Sequence, residues 1–211
     1  MTDDLQVLLS HTSKLFTDGL DYTREEFSAL SFDSIDFKIP FVQVTSIQNV
    51  LQDLMWEENE VVVIDHQFEG QLEGNSHIVF EAKGAMRFIR HFLSEPTEFE
   101  YFLETEKEAL ADISTSIING VLKLLIKDLK VSIQTMLPRI HQGMFLNLME
   151  SLLFNDGSQE GDNVLMVPVV VQMLDSNVKC ELVFIQEVNS YINLTRPILR
   201  SLLRRGGVDD V

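Results

Sequence analysis

The sequence predicts an α+β domain made of two similar units that follow one another along the chain. Apolar residues recur at helical spacing in one long segment of each half, and runs of β-branched residues follow each segment. No stretch rich in Pro, Gly or Ser separates the halves, as a linker between domains would. We therefore expect one compact body over residues 1–211, with a first repeat at about 1–98 and a second at about 99–211.

The first half is expected to begin and end with a helix, and extended regions lie between them. Pro40 interrupts the first extended region, and Gly70 and Gly74 mark the turn of a hairpin. The predicted elements are, in order, a helix at about 3–18, an extended segment at 35–44, a short helix at about 46–55, strands at 61–64 and 76–82, and an amphipathic helix at about 84–94.

The second half repeats this order. Glu104, Glu106 and Glu108 open its long helix, where the helix dipole favours negative charge. Thr195 and Pro197 are typical of the N-cap and first turn of a final helix. The predicted elements are, in order, a helix at about 104–128, a strand at 130–137, a helix at 142–154, strands at 164–173 and 178–186, and a helix at about 195–205.

One spacing is common to both halves. Thr17 lies 23 positions before Pro40, and Thr115 lies 23 positions before Pro138. The halves therefore align there without a gap. Duplication of a half-domain produces such matched spacings over units longer than those of solenoid repeats.

The charge balance restricts the partners. The chain has 33 acidic and 16 basic side chains and a formal net charge of −17, which repels phosphate backbones and anionic lipid headgroups. Neither nucleic acid nor a membrane is therefore an expected partner. The first residues lack the pattern of an export signal, and no apolar run approaches about 18 residues. We expect a cytoplasmic protein.

Metal and cofactor motifs are not found in the sequence. Cys180 is the only cysteine, which excludes an internal disulfide and a thiolate metal cluster. The histidines follow no metal-ligand spacing, although His66 and His77 could meet across a hairpin. There is no glycine-rich phosphate loop and no Gly-x-Ser-x-Gly motif. The sequence therefore predicts neither a metal nor a cofactor.

Each long helix carries a row of polar side chains opposite its apolar stripe. The row on the first helix, called here the first ridge, consists of Ser10, Lys14, Thr17 and Asp21. The row on the second helix, the second ridge, consists of Glu108, Asp112, Thr115, Asn119 and Lys123. The ridges are expected to lie side by side. They are candidate functional surfaces, and a solvated helix face without further role is the alternative interpretation.

The ridges and the two prolines resemble the active-site motif of the CheC, CheX and FliY family of chemotaxis phosphatases, in which Asp or Ser, Glu, Asn and Pro occur at these spacings. The second half follows that frame with Glu108, Asp112, Thr115 and Pro138, and the first half with Ser10, Lys14, Thr17 and Pro40. The segment 111–120 also resembles the family's Glu-Ile-Gly-Asn helix start. The resemblance implies a CheC-like fold, with a largely antiparallel sheet and the two long helices on one face.

The resemblance further implies a CheY-like response-regulator receiver domain as partner. In the family, the Glu pairs with a lysine of the phosphorylated receiver, and the Asn amide orients the water that attacks the aspartyl phosphate. Here Asp112 keeps the charge of that Glu, whereas Lys14 reverses it. Thr115 and Thr17 offer a hydroxyl of shorter reach than an amide. Asn119, one turn beyond Thr115, is a candidate for the amide. Weak or lost phosphatase activity is expected.

The predicted last helix carries a stripe of basic side chains. Arg196, Arg200 and Arg204 recur on the predicted last helix, and Arg200 is a candidate contact for the acidic pocket of a receiver or for another copy. The alternative is that these cations complement the helix dipole.

A non-catalytic scaffold is the alternative function, since the FliM middle domain is similar to this fold without the phosphatase residues. CheX-like members also pair through sheet edges, which implies a homodimer.

Overall fold

Helices and strands follow the same order in both halves of the computed structural model, which describes residues 2–30, 34–54, 56, 59–93, 102–154, 162–175 and 177–196. The first half contains α1 (Thr2–Leu30), β1 (Ile35–Lys38), β2 (Gln43–Ser46), α2 (Ile47–Asp53), β3 (Glu60–Gly70), β4 (Gly74–Glu81) and α3 (Ala82–Leu93). The second contains α4 (Glu104–Leu129), β5 (Ile133–Thr135), β6 (Arg139–Met144), α5 (Phe145–Phe154), β7 (Asn163–Met173), β8 (Val178–Glu187) and a helix α6 at 188–196.

The eight strands form one antiparallel sheet in which the two halves are interleaved. The strand order is β1-β7-β8-β4-β3-β5, with β2 also paired to β7 and β6 also paired to β3. Each half therefore adds its first two strands to the hairpin of the other half. The predicted α+β class with a largely antiparallel sheet is confirmed. The repeat boundary near residue 98 stays a prediction.

Pro40 and Pro138 lie at equivalent breaks on the two edges of this sheet. Each break leaves one more residue on the edge strand than on the strand it pairs with, as in a β-bulge. The pairs that flank the breaks are Lys38 with Val170 and Gln43 with Met166, and Thr135 with Phe68 and Arg139 with Asp65. Proline is tolerated there because the outer side of an edge strand pairs with no other strand, so a missing backbone N–H donor breaks no hydrogen bond.

Both faces of the sheet are buried. Val62 and Ile64 point to one face, which packs in a core cluster with α1, α3, α4 and α6. Val61 and Val63 point to the other face, which α2 and α5 cover. A strand buried on both sides reads as a continuous apolar run, which explains the pattern of residues 61–64. The two long helices share one face, as the resemblance to the CheC, CheX and FliY family implied.

α1 is longer than predicted, because the helix continues from residue 18 to Leu30. Gly19 does not end it, since this glycine lies against the backbone of α4. Leu20 and Thr23 in the extension are buried at 3% exposure each. The extra turns are thus held by packing against the other long helix rather than by their own periodicity.

The sequence-based assignment of residues 139–144 is wrong. These residues form the edge strand β6, paired with β3, whereas the prediction left part of them between elements and placed 142–144 in a helix. Arg139, His141 and Gln142 give this strand little apolar alternation. Its pairing is fixed by main-chain hydrogen bonds and the neighbouring buried strand, which a periodicity argument does not register.

The predicted start of the last helix is also wrong. α6 is already helical at Val188, and the Glu187 carboxylate accepts hydrogen bonds from the backbone N–H groups of Asn189 at 2.9 Å and Ser190 at 2.6 Å. Thr195 is an interior residue of this helix, because its hydroxyl donates to Tyr191 O at 2.8 Å. The predicted continuation over 197–205 lies outside the described residues.

Candidate functional site

The helices α1 and α4 pack against each other in antiparallel orientation through two close approaches. A Cβ on Gly19 would lie 3.2 Å from Val121 Cα, and a Cβ on Gly120 would lie 2.3 Å from Thr23 Oγ1. Asp128, near the end of α4, lies close enough to the first half of α1 to act on its titratable groups. The small side chains therefore set how near the two ridges come to each other.

We expect Gly120→Ala to lower the free energy of unfolding by about 1–3 kcal/mol, as overpacking does, although alanine is the better helix former. Gly84→Ala in α3 is the matched control, because its Cβ would have no neighbour nearer than 3.7 Å. It should be neutral or raise stability by up to about 1 kcal/mol. Urea denaturation of both variants measures the difference, and equal effects would contradict a tight crossing at Gly120.

The structure places both ridges on the exposed side of this helix pair. Lys123 Nζ donates a hydrogen bond to Tyr22 Oη and lies 4.5 Å from the centre of its ring, which ties the second ridge to α1. Thr115 is half-buried. The exposed members are Ser10, Lys14, Thr17 and Asp21 on α1, and Glu108, Asp112, Asn119 and Lys123 on α4.

Both threonine hydroxyls that the sequence analysis aligned with the family's asparagine donate to their own helix. Thr115 Oγ1 donates to Ala111 O at 2.8 Å, and Thr17 Oγ1 donates to Ser13 O at 2.8 Å. In these rotamers each hydroxyl presents only its acceptor lone pairs to a partner. An asparagine amide at the same place has both a donor and an acceptor, so the two threonines are poorer substitutes than their polarity suggests.

The two halves differ at the position that the sequence analysis aligned with the family's Glu. Asp112 is exposed, and its carboxylate makes no hydrogen bond or ion pair with another residue that the structure describes. Lys14 is instead paired with Asp18 at 2.6 Å, and this hydrogen bond raises the pKa of Lys14. Lys14 of the first ridge is therefore paired within its own helix, whereas the Asp112 carboxylate of the second ridge is exposed and has no partner among the described residues.

Asn119 is held at the edge of the sheet. Its Oδ1 accepts a hydrogen bond of 3.3 Å from Thr135 Oγ1 in β5. The amide thus contacts β5, the strand that precedes the connection containing Pro138. Thr115 and Asn119 lie one turn apart on α4, whereas Arg196 is exposed on α6 and Arg200 lies outside the described residues.

A buried ion pair fixes the start of α4 beneath the second ridge. Glu106 is 0% exposed, and its Oε1 accepts from Arg90 Nε of α3 at 2.8 Å. Its Oε2 accepts from the backbone N–H of Leu103 at 2.8 Å, which caps the helix. The sequence predicted only a favourable interaction with the helix dipole. Glutamate three residues after the helix boundary is a capping signal that could have identified this role.

The histidines of the β3–β4 hairpin do not meet. The strand register pairs His77 with Asp65 and His66 with Ser76, so the two imidazoles lie on opposite faces of the sheet. His77 Nδ1 is 3.4 Å from Asp65 Oδ1, and Asp65 Oδ2 accepts from Arg139 Nη2 at 2.6 Å. Burial lowers the pKa of both His66 and His77 to about 4, so both imidazoles are neutral at pH 7.

The second long helix has the length and mean hydropathy of a membrane span, although its sequence contains no unbroken apolar run of that length. Half of the most apolar 18-residue segment of α4 is buried inside the protein, and the second ridge lies on the exposed side of the helix. Core helices of globular proteins can have the same length and composition. The contacts of α4 with α1 and with the sheet account for its apolar residues.

Comparison with known proteins rests on structure. No family model and no curated protein match the sequence. Solved structures match over most of the chain. The FliM–SpeE complex from H. pylori matches with a TM-score of 0.65 and 9% identity, over 90% of this chain and 95% of that one. FliY of Thermotoga maritima matches with a TM-score of 0.62 and 14% identity, over 84% and 88%.

A third match is the CheX–CheY–BeF3–Mg complex from Borrelia burgdorferi, with a TM-score of 0.51 and 17% identity, over 82% of this chain and 97% of that one. This protein has the CheC-like fold. The resemblance to CheC, CheX and FliY that the sequence predicted is thereby confirmed at the level of the fold.

Proposed function

We propose that this protein is a chemotaxis signalling module that binds a CheY-like receiver domain through the second ridge and has weak or lost aspartyl-phosphate phosphatase activity. Asp112 carries the proposal, because its exposed carboxylate occupies the frame position of the family's Glu and has no partner among the described residues. The match to a CheX structure solved with CheY supports this partner. Such a module would act in the cytoplasm.

The hydrogen bonds of Thr115 support the loss of chemistry. Hydrolysis of an aspartyl phosphate needs a water placed in line, and a misplacement of about 1 Å costs about a hundredfold in rate. The Thr115 hydroxyl directs its proton to Ala111 O, and the Asn119 amide oxygen accepts from Thr135. The Thr115 hydroxyl therefore has no proton left to donate to a water, and the Asn119 amide lies one helical turn from the position of the family's asparagine. We therefore expect this protein to retain receiver binding although its phosphatase activity is weak or lost.

We expect Asp112→Ala to weaken binding of a receiver activated with beryllofluoride about fivefold, because an exposed ion pair contributes up to about 1 kcal/mol. Glu150→Ala is the control, since it removes the same charge from α5 on the opposite face of the sheet. Calorimetric titration measures both affinities. Unchanged binding by Asp112→Ala, or an equal loss in Glu150→Ala, would contradict a contact at the second ridge.

A non-catalytic scaffold of the flagellar-switch type is the second candidate. The internal pairing of Lys14 with Asp18 favours it, because the first ridge then offers no charge for a receiver lysine. The match to a FliM complex is consistent with this function. A scaffold would bind a receiver equally whether or not that receiver is activated, whereas the module we propose should prefer the activated receiver.

A further inference from the structure

Two adjacent apolar side chains are exposed in the connection between β5 and β6. Leu137 is 89% exposed, more than any other large apolar side chain among the described residues, and Met136 before it is 49% exposed. A single exposed apolar residue needs no explanation, whereas adjacent ones are typical of an interaction surface. Neither residue belongs to the two ridges.

This connection is anchored on both sides. The Met136 N–H donates a hydrogen bond to Gln67 O of β3 at 2.8 Å. Thr135 before it and Arg139 after it are both in register with β3. Leu137 is therefore presented from a fixed backbone, so a partner that buries it loses little affinity to ordering the connection.

The connection is next to the second ridge. Asn119 of that ridge accepts a hydrogen bond from Thr135, two residues before Leu137. Two residues of extended chain span at most about 7 Å, and Asp112 lies about 10 Å from Asn119 along α4. An interface of standard size buries about 800 Å² on each partner and is thus roughly 30 Å across. One partner can therefore cover Asp112 and Leu137 together.

The first half lacks such an exposed apolar residue at the equivalent position. Ile39 precedes Pro40 as Leu137 precedes Pro138, but Ile39 is partly buried against the core cluster. The first ridge also lacks a free charge at Lys14, which is paired with Asp18. The exposed leucine and the unpaired carboxylate of Asp112 thus occur in the same half, as two parts of one binding surface should.

Building on the proposed receiver binding, we propose that Met136 and Leu137 form the apolar contact of the receiver interface beside Asp112. Burying a leucine side chain raises affinity by a factor of about ten or more. An exposed ion pair contributes less and is screened by salt. The larger share of the affinity therefore comes from Leu137, and Asp112 adds the charged contact.

A second copy of this chain fits this surface less well than a receiver does. Pro138 has no N–H to donate to an added strand, and the break around it leaves an extra residue on the edge strand. The net charge of −17 also opposes the approach of two identical chains.

Calorimetric titration with a CheY-like receiver activated by beryllofluoride tests the assignment of Leu137. Leu137→Ala should weaken binding about tenfold and leave the Tm unchanged, because the side chain is 89% exposed in the free protein. Leu174→Ala is the matched control, since Leu174 is 57% exposed after β7, which β8, β4 and β3 separate from β5. The control should change the affinity less than twofold.

Ionic strength separates the apolar contact from the charged one. The loss caused by Leu137→Ala should be the same in low salt and in about 1 M salt, where the Debye length is only about 3 Å. The loss caused by Asp112→Ala should shrink over the same range. A loss in Leu137→Ala that disappears in high salt would contradict an apolar contact.

The outcomes distinguish this assignment from the proposed function. Receiver binding that depends on Asp112 but not on Leu137, or an equal loss in Leu174→Ala, would overturn the assignment of Leu137 and leave receiver binding intact. No binding of the receiver by the wild type would overturn both. A sedimentation coefficient altered by Leu137→Ala, with receiver affinity unchanged, would overturn it in favour of a contact between copies of this chain.

Discussion

Replacement of Glu106 by alanine is expected to lower the free energy of unfolding by about 3 kcal/mol, because removing one partner of a buried ion pair is strongly destabilising. Glu106 is 0% exposed, whereas the Arg90 side chain is 18% exposed. The variant also removes the acceptor for the Leu103 N–H at the start of α4. Urea denaturation followed by circular dichroism measures the change.

Glu104→Ala is the matched control for this effect. Glu104 lies in the same first turn and pairs with Lys107 at 2.7 Å, but its side chain is 84% exposed. Exposed pairs contribute little, so the loss should stay below about 1 kcal/mol. Similar losses in the two variants would show that the dipole of α4, rather than the buried pair with Arg90, determines the role of these glutamates.

Thr115→Asn is expected to increase the dephosphorylation of a bound CheY-like receiver by about ten- to a hundredfold, because an amide can hold the attacking water that the threonine hydroxyl does not. The substitution removes the hydrogen bond to Ala111 O and places a donor and an acceptor one turn from Asp112. The decay of the phosphorylated receiver, measured with and without the variant, shows the gain.

Thr17→Asn makes the same substitution in the first half. Its neighbour at the Glu position is Lys14, which is paired with Asp18 and has the wrong charge for a receiver lysine. The variant should therefore leave the decay unchanged. An equal gain from Thr17→Asn, or none from Thr115→Asn, would contradict the assignment of the second half as the altered site.

Much of the fold was predictable because local pattern and tertiary packing agree. The apolar stripe of α4 is the side that packs, and the run at 61–64 is a strand buried on both faces. The equal spacing of Thr17 to Pro40 and of Thr115 to Pro138 corresponds to equivalent breaks on the two sheet edges. The first two features follow from short-range periodicity and the third from the internal repeat, and a sequence shows both directly.

The remaining features depend on contacts between distant parts of the chain. By sequence alone Gly19 is typical of a helix end, whereas in the structure it lies against the backbone of α4. Glu106 looks like a surface residue, because Arg90 lies in another element. The direction of the Thr115 hydroxyl is a property of its rotamer and of the packing around it. No spacing rule in the sequence encodes them.

The most direct test of the proposed function is a titration of a phosphorylated CheY-like receiver with this protein, in which binding and phosphate loss are followed in the same samples. We predict saturable binding that Asp112→Ala weakens, with the decay of the receiver unchanged or only slightly faster than alone. Absence of binding to the phosphorylated receiver would contradict the assignment of the second ridge as a receiver-binding surface.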